Sequence, residues 1–153
     1  MIGLIIGIIL FDRASKFLAA LFLKEASIAL WEGVFHLTYV ENTGAAFSLL
    51  SGHTLLLGIF SLIMVIVLSY YLNKRIKAGA NMFEQIGLAF IIGGAIGNLY
   101  DRMILGYVID FFDFRLINFA VFNVADSFIT IGAVLIGISL FIDEKNKKTS
   151  GVN

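Results

Sequence analysis

Apolar residues along the chain fall in long runs, set apart by short segments in which nearly all the charge is concentrated. A helix needs about 20 apolar residues to cross the hydrocarbon of a bilayer, and four stretches meet or approach that length. Residues 53–72 contain no charged side chain. Residues 82–100 have Glu84 near one end and the small-residue sequence GLAFIIGGAIGN, which lets neighbouring helices approach closely. Residues 122–142 carry Asn123, Asp126 and Ser127 near their start. The first stretch differs, because its apolar run stops at Phe11 and a spanning helix over residues 1–22 has to continue through Asp12, Arg13 and Lys16. Asp12 and Lys16, four apart, share a helical face. Two readings stay open: an internal ion pair turned toward other helices, or a chain that begins inside the bilayer with Asp12 already at the headgroups.

Two longer segments separate these spans, at residues 23–52 and 101–121. The first is too long for a turn. Val34, Phe35, Leu37, Tyr39 and Val40 favour strand, and Asn42 to Gly44 signal a turn. A small sheet lying on the membrane is expected, with Trp31, Phe35 and Tyr39 suited to the interface. The second segment is expected to be a loop carrying Asp101, Arg102, Asp110 and Asp113. The fold class is therefore an all-α membrane protein, a single domain of four transmembrane helices with a small β-rich cradle outside the bilayer.

Composition sharpens this picture. Of 153 residues, 59% are hydrophobic and 14% charged, with a mean hydropathy of +0.95, far from the mix of soluble domains. A formal net charge of zero leaves no basic patch for nucleic acid. The absence of cysteine removes disulfides, thiolate metal sites and a cysteine nucleophile. Two histidines without a partner pattern make a poor case for metal. The start MIGLIIGIIL lacks the basic region and cleavage site of a removable signal peptide, and is expected to be retained as the beginning of a span.

Charge also suggests orientation, since short cytoplasmic segments are enriched in Lys and Arg. Lys74, Arg75, Lys77, Lys145, Lys147 and Lys148 make six of the eleven basic residues. Both termini are thus expected in the cytoplasm, with residues 23–52 and 101–121 facing outward. Asp101, Asp110 and Asp113 then lie at the outer face and Asp126 just inside it.

Carboxylates next to lipid are costly and mark functional sites. Two that converge on one water can hydrolyse an amide, because they share a proton: one activates the water while the other protonates the carbonyl oxygen or the leaving nitrogen. Asp110 and Asp126, sixteen residues apart, are the candidate pair, provided the loop folds back over the helix start. Plainer readings compete. Asn123 or Asp126 could be helix caps, Asp110 and Asp113 solvated loop residues, and Asn98, Asp101 and Arg102 a helix-end cap with a local ion pair.

Five motifs in order, FDRASK (residues 11–16), VENTGAAFSL (40–49), GGAIGNLYDR (93–102), GYVIDFFDF (106–114) and FNVADS (122–127), resemble those of the lipoprotein signal peptidase (signal peptidase II) family. The resemblance covers nearly the whole chain. It implies an aspartic endopeptidase of the bacterial inner membrane that cleaves prolipoproteins before a diacylglyceryl-modified lipobox cysteine, without a cofactor. It implies catalysis by Asp110 and Asp126, with support from Asp12, Lys16, Asn42, Asn98, Asp101, Arg102 and Asn123. Of these, Asn42, Asn98, Arg102 and Asn123 would hold substrate backbone or orient the dyad, and residues 31–50 would form a cradle and lid. Arg13 departs from the family, where Gln is common, and the short N-terminus fits an upstream start or a truncation. Expected partners are diacylglyceryl-prolipoproteins and membrane lipid, and a closed four-helix unit gives no reason to expect more than a monomer. Two other classes fit the bare residues: a proton or ion transporter using Asp12, Asp110 and Asp126 as a relay, and a noncatalytic membrane scaffold.

Overall fold

The computed structural model describes residues 1–45 and 50–149, with side chains described up to Lys145. Part of the expected lid, residues 46–49, lies outside the described residues. Four helices, α1 (Ile2–Phe22), α2 (Thr54–Lys77), α3 (Met82–Ile104) and α4 (Val124–Thr149), accompany three strands, β1 (Ile28–Trp31), β2 (Phe35–Asn42) and β3 (Val108–Phe114). The strands form one antiparallel sheet in the order β1-β2-β3. Three segments, Thr54–Lys77, Met82–Ile104 and Val124–Lys145, are long and apolar enough to cross a membrane. In α1, Asp12, Arg13 and Lys16 interrupt the apolar run.

The helices run past their expected ends. Lys74, Arg75 and Lys77 form the last turn of α2, where cations complement the unpaired carbonyls, so these residues are helical and not a link. The helix stops at Gly79 (φ +71°), where Gly79 N–H donates to the Ile76 carbonyl and Ala80 N–H to that of Arg75, the paired closure that a left-handed glycine permits. Likewise α3 continues to Ile104, which places Asp101 and Arg102 in a helix and corrects their assignment to a loop.

A second correction concerns Asp110, which lies in strand β3. The sequence VIDFFDF is rich in β-branched and aromatic residues and finds a partner in β2, with Val40 opposite Asp110 and Asn42 opposite Val108. The pairing joins two segments that are far apart in sequence, so a reading of either one alone could not reveal it.

Helix α3 is the centre of the bundle, packed on α1, α2 and α4, and its glycines set the spacing. A Cβ at Gly87 would lie 2.7 Å from the Gly132 carbonyl oxygen, and one at Gly132 would lie 2.6 Å from the Gly87 carbonyl oxygen. Gly94 meets the Ala125 backbone, Gly93 meets Ile8, and Gly97 meets the Asp12 carboxylate. Backbone atoms cannot rotate away, so Gly132→Val is expected to force α3 and α4 apart, costing about 1–3 kcal/mol. Gly137→Val on the same helix, with no neighbour within 4 Å of a Cβ, is the matched control. Thermal unfolding in detergent compares the two.

One end of the bundle is closed by contacts that the sequence did not signal. Asn81 caps α3 by accepting from Glu84 N–H at 3.0 Å and donates to Ser139 at 2.6 Å and Asp143 at 3.1 Å. Arg75 grips Glu84 through two hydrogen bonds of 2.6 and 2.8 Å. Met1 and Ile5 pack at this end against Leu72, Leu88, Ala89 and Ile92. The start of α1, the end of α2 and the later part of α4 therefore share one end, and Asp110 and Asp126 sit at the other.

Candidate active site

The first turn of α4 shows why FNVADS folds as it does. Asn123 precedes the helix, and its side-chain oxygen accepts from Asp126 N–H at 3.0 Å, while Asp126 Oδ2 accepts from Asn123 N–H at 3.2 Å. This reciprocal pair is a capping box built from Asn and Asp. The capping reading of both residues is thus correct as far as it goes. It also fixes the direction of the remaining oxygen, Asp126 Oδ1, which accepts from Asn98 Nδ2 at 2.8 Å. A further orphan donor, Ala125 N–H, is taken by Asp12 Oδ1 at 3.0 Å.

Asp110 comes from the sheet. It is 2% exposed and accepts from Asn42 Nδ2 at 2.9 Å and from Asn123 Nδ2 at 2.6 Å. Asp113, an odd number of residues away, points to the opposite face, where it accepts from Thr38 and Arg115. Burial pushes the Asp113 carboxyl up, but its hydrogen bonds to Arg115 and Thr38 prevail and hold it below the usual carboxylate range. Both acids are buried in β3, so the reading of Asp110 and Asp113 as solvated loop residues is corrected for each.

Three amides surround the two acids, and each is locked with its NH₂ group toward a carboxylate by a second contact on its oxygen. Asn42 Oδ1 accepts from Gly44 N–H at 2.9 Å. Asn123 Oδ1 is engaged by Asp126 N–H. Asn98 Oδ1 accepts from Lys16 Nζ at 2.9 Å and from Asn123 at 3.1 Å. An amide turned over would set its oxygen against a carboxylate oxygen and its NH₂ against another donor, so each presents its donors to the acids and its oxygen to the far side.

Beneath the amides lies a buried ionic cluster. Lys16 Nζ stands 2.9 Å from Asp12 and 2.9 Å from Asp101, with all three side chains fully enclosed. This favours the internal ion pair over the headgroup placement of Asp12. Asp101 also pairs with Arg13, whose guanidinium lies 4.4 Å from the centre of the Tyr100 ring. Sequence reasoning gave Arg13 no place in the site; its spacing from Asp12 on α1 puts it on a different face, and only the end of α3 explains its partner. Arg102 donates to the Gly44 carbonyl at 3.4 Å, and its buried Nε has no hydrogen-bond partner. All nine residues singled out from the sequence thus come together in one connected network.

Asp110 and Asp126 both line a cavity of about 430 Å³ walled largely by apolar side chains, with Arg102 and Asn98 at its edge. Burial, then the neighbouring Asp126 carboxylate, push the Asp110 carboxyl up to about 7, against the pull of Asn42 and Asn123. A carboxyl held there keeps or releases a proton near neutrality, as general acid–base chemistry requires.

A bundle with three helices long and apolar enough to span a membrane and a pair of buried acids at one end defines an integral membrane protein. The family model described as Signal peptidase (SPase) II matches residues 4–142, and the chain belongs to that family. It is similar to the lipoprotein signal peptidase of Caldanaerobacter subterraneus subsp. tengcongensis, with 47% identity over 131 residues, 85% of this chain and 88% of that one. The lipoprotein signal peptidase of Clostridioides difficile is 43% identical over 146 residues, 94% of this chain and 97% of that protein. A bacterial membrane enzyme solved by the in meso method at 2.3 Å resolution has a TM-score of 0.84 and 34% identity, over 95% of this chain and 90% of that one.

Proposed function

We propose that this chain removes signal peptides from prolipoproteins, cutting before a lipobox cysteine that already carries diacylglycerol, with Asp110 and Asp126 activating the attacking water. The observation that carries the mechanism is Asn123, which donates to Asp110 and closes the capping box with Asp126, so that one residue holds both acids against one cavity. In the resting pair one proton is shared. The ionised carboxylate takes a proton from water, whose oxygen bonds to the scissile carbonyl carbon, and the protonated partner gives its proton to the carbonyl oxygen. Collapse returns that proton, breaks the C–N bond and sends the proton taken from water to the cysteine nitrogen, restoring the shared-proton pair. Arg102, with its uncommitted Nε in this setting, holds substrate backbone, and Asn42, Asn98 and Asn123 fix the acids.

The lipid supplies binding energy of about 0.8 kcal/mol per buried CH₂, so a narrow peptide cleft suffices. α1 is the fourth span: Asp12 and Lys16 are enclosed while Ile2, Ile6, Leu10, Phe17 and Leu21 face outward, as lipid requires. The cation-rich end that holds Met1 is cytoplasmic and the acid pair lies at the outer face of a bacterial inner membrane. The unit acts as a monomer and without a cofactor. A relay across the membrane is disfavoured, because α3 carries no acid between Glu84 and Asp101.

Purified protein in detergent tests this reading with a diacylglyceryl-prolipoprotein and its unlipidated form. Cleavage of the lipidated substrate alone, unchanged by a chelator, is the expected result. The rate should fall on an alkaline limb near pH 7, as Asp110 loses the shared proton. Proton-coupled flux in liposomes without cleavage would favour the transporter.

A further inference from the structure

The cavity beside the acid pair extends along α4 past Asp126 to Ile129, Thr130 and Ile131. Asp126 and Thr130 are four residues apart and so share a face of the helix, with Thr130 deeper by about 6 Å along the axis at about 1.5 Å per residue. Thr130 and Ile131 are exposed, which leaves this arm open to whatever surrounds the bundle. Around a membrane-spanning helix that is lipid. The donors that line the cavity differ in how far they are committed. The Asn42 and Asn98 amides are turned to Asp110 and Asp126, and the Ser127 hydroxyl donates to the Asn123 carbonyl at 3.0 Å, back along its own helix. Thr130 lines the same cavity, yet its hydroxyl makes no hydrogen bond to any of the described residues. A donor flanked by Ile129 and Ile131 gains most from an acceptor that arrives with a ligand.

We infer that Thr130 is a specificity-determining residue whose hydroxyl donates to an ester carbonyl of the diacylglyceryl group on the substrate cysteine. The inference rests on the proposed peptidase activity. With the scissile bond held at Asp110 and Asp126, the cysteine side chain leads away from the acids through sulfur and glycerol carbons. The ester carbonyls follow, and only then the acyl chains. That short link spans a distance comparable to the step of about 6 Å from Asp126 to Thr130, and beyond it the open side of the cavity lets the chains pass into lipid. An ester carbonyl drawn into an apolar cavity loses its water, and without a new donor that loss weakens binding. Arg102 cannot serve both ends of the substrate, because it stands beside the acids and is assigned to the peptide backbone. Thr130 is the uncommitted donor at the depth where the esters arrive.

Two lipidated peptides of the same sequence test this, one carrying a diacylglyceryl group and the other a dialkylglyceryl ether of equal chain length, which lacks the carbonyls. The wild type should cleave the ester peptide with roughly fivefold higher kcat/KM, the value of one neutral hydrogen bond. Thr130→Val replaces the hydroxyl by a methyl group and should erase the preference, whereas Thr130→Ser should retain it. Because each preference is a ratio within one preparation, loss of folded protein cancels. Thr130→Ala also lacks the hydroxyl and should behave as Thr130→Val does, so the test does not depend on one variant folding. A wild type without a preference, or a preference that survives in the variants lacking the hydroxyl, overturns the assignment. A wild type that leaves both peptides uncut instead overturns the peptidase reading, and the role of Thr130 with it.

Discussion

Asp110→Asn and Asp126→Asn should each lower kcat for the lipidated substrate by about 10²–10⁴-fold, the range of a lost acid–base group, while the protein stays folded. The reasoning is particular to each residue. Asn at position 126 can still accept from Asn123 N–H through its oxygen, so the capping box closes, but its amide presents a donor where Asn98 already donates, and no proton can be taken from water. Asn at position 110 likewise sets an amide donor against Asn42 or Asn123, a cost that does not change with pH, and it removes the titrating group of Asp110. Its folded-state carboxyl is raised to about 7 from 3.8, by burial and then by Asp126, so the charged form weakens the fold. The stability this group contributes is complete below about pH 4 and lost as the pH climbs through about 7. Asp110→Asn removes that loss, so its melting temperature relative to the wild type should be higher at pH 8 than at pH 5. Inactive protein whose stability relative to the wild type rises with pH is the signature of a functional carboxylate; an Asp110 ionised for the fold alone would give the reverse trend. Retained cleavage in either variant sinks the acid pair.

How much of this was readable beforehand depends on the distance over which each feature acts. Three spans were plain because an uninterrupted apolar run states its own environment. Helix ends were misplaced because charge was taken as a sign of loop, whereas Lys74, Arg75 and Lys77 cap the last turn of α2 and Asp101 turns inward to Lys16. The strand at Asp110 was missed because its pairing partner is near residue 40, and strand pairing is non-local. Motif order brought these residues forward as candidates through family likeness; bare chemistry had left caps and solvated loops as equals. Arg13 had no signal at all, since its partner is created only when the ends of α1 and α3 meet. Capping α4 and facing the cavity turned out to be compatible for Asp126, and treating a cap and an acid as rivals was the error in the chemical reading.

Lys16→Met should have the second largest effect, and it separates two roles that a buried cation can play. Lys16 is enclosed among Asp12 on its own helix, Asp101 on α3, and Asn98, with Arg13 and Arg102 the nearby cations and Asp110 and Asp126 the acids beyond the amide. Removing one partner from such a cluster leaves an uncompensated buried charge, and the cost is about 3–5 kcal/mol. That much would follow from a structural role alone. A second effect would not: Lys16 lowers the Asp110 pKa across the site, and it holds Asn98 with its donor toward Asp126. Loss of the cation should therefore move the alkaline limb of the rate profile to higher pH, because a proton on Asp110 is then harder to remove. Lys16→Arg keeps the charge in a larger side chain; it should cost stability through crowding yet leave that limb in place. If both variants lose stability and neither shifts the limb, Lys16 serves the fold only, and the link through Asn98 to the acids carries no electrostatic control.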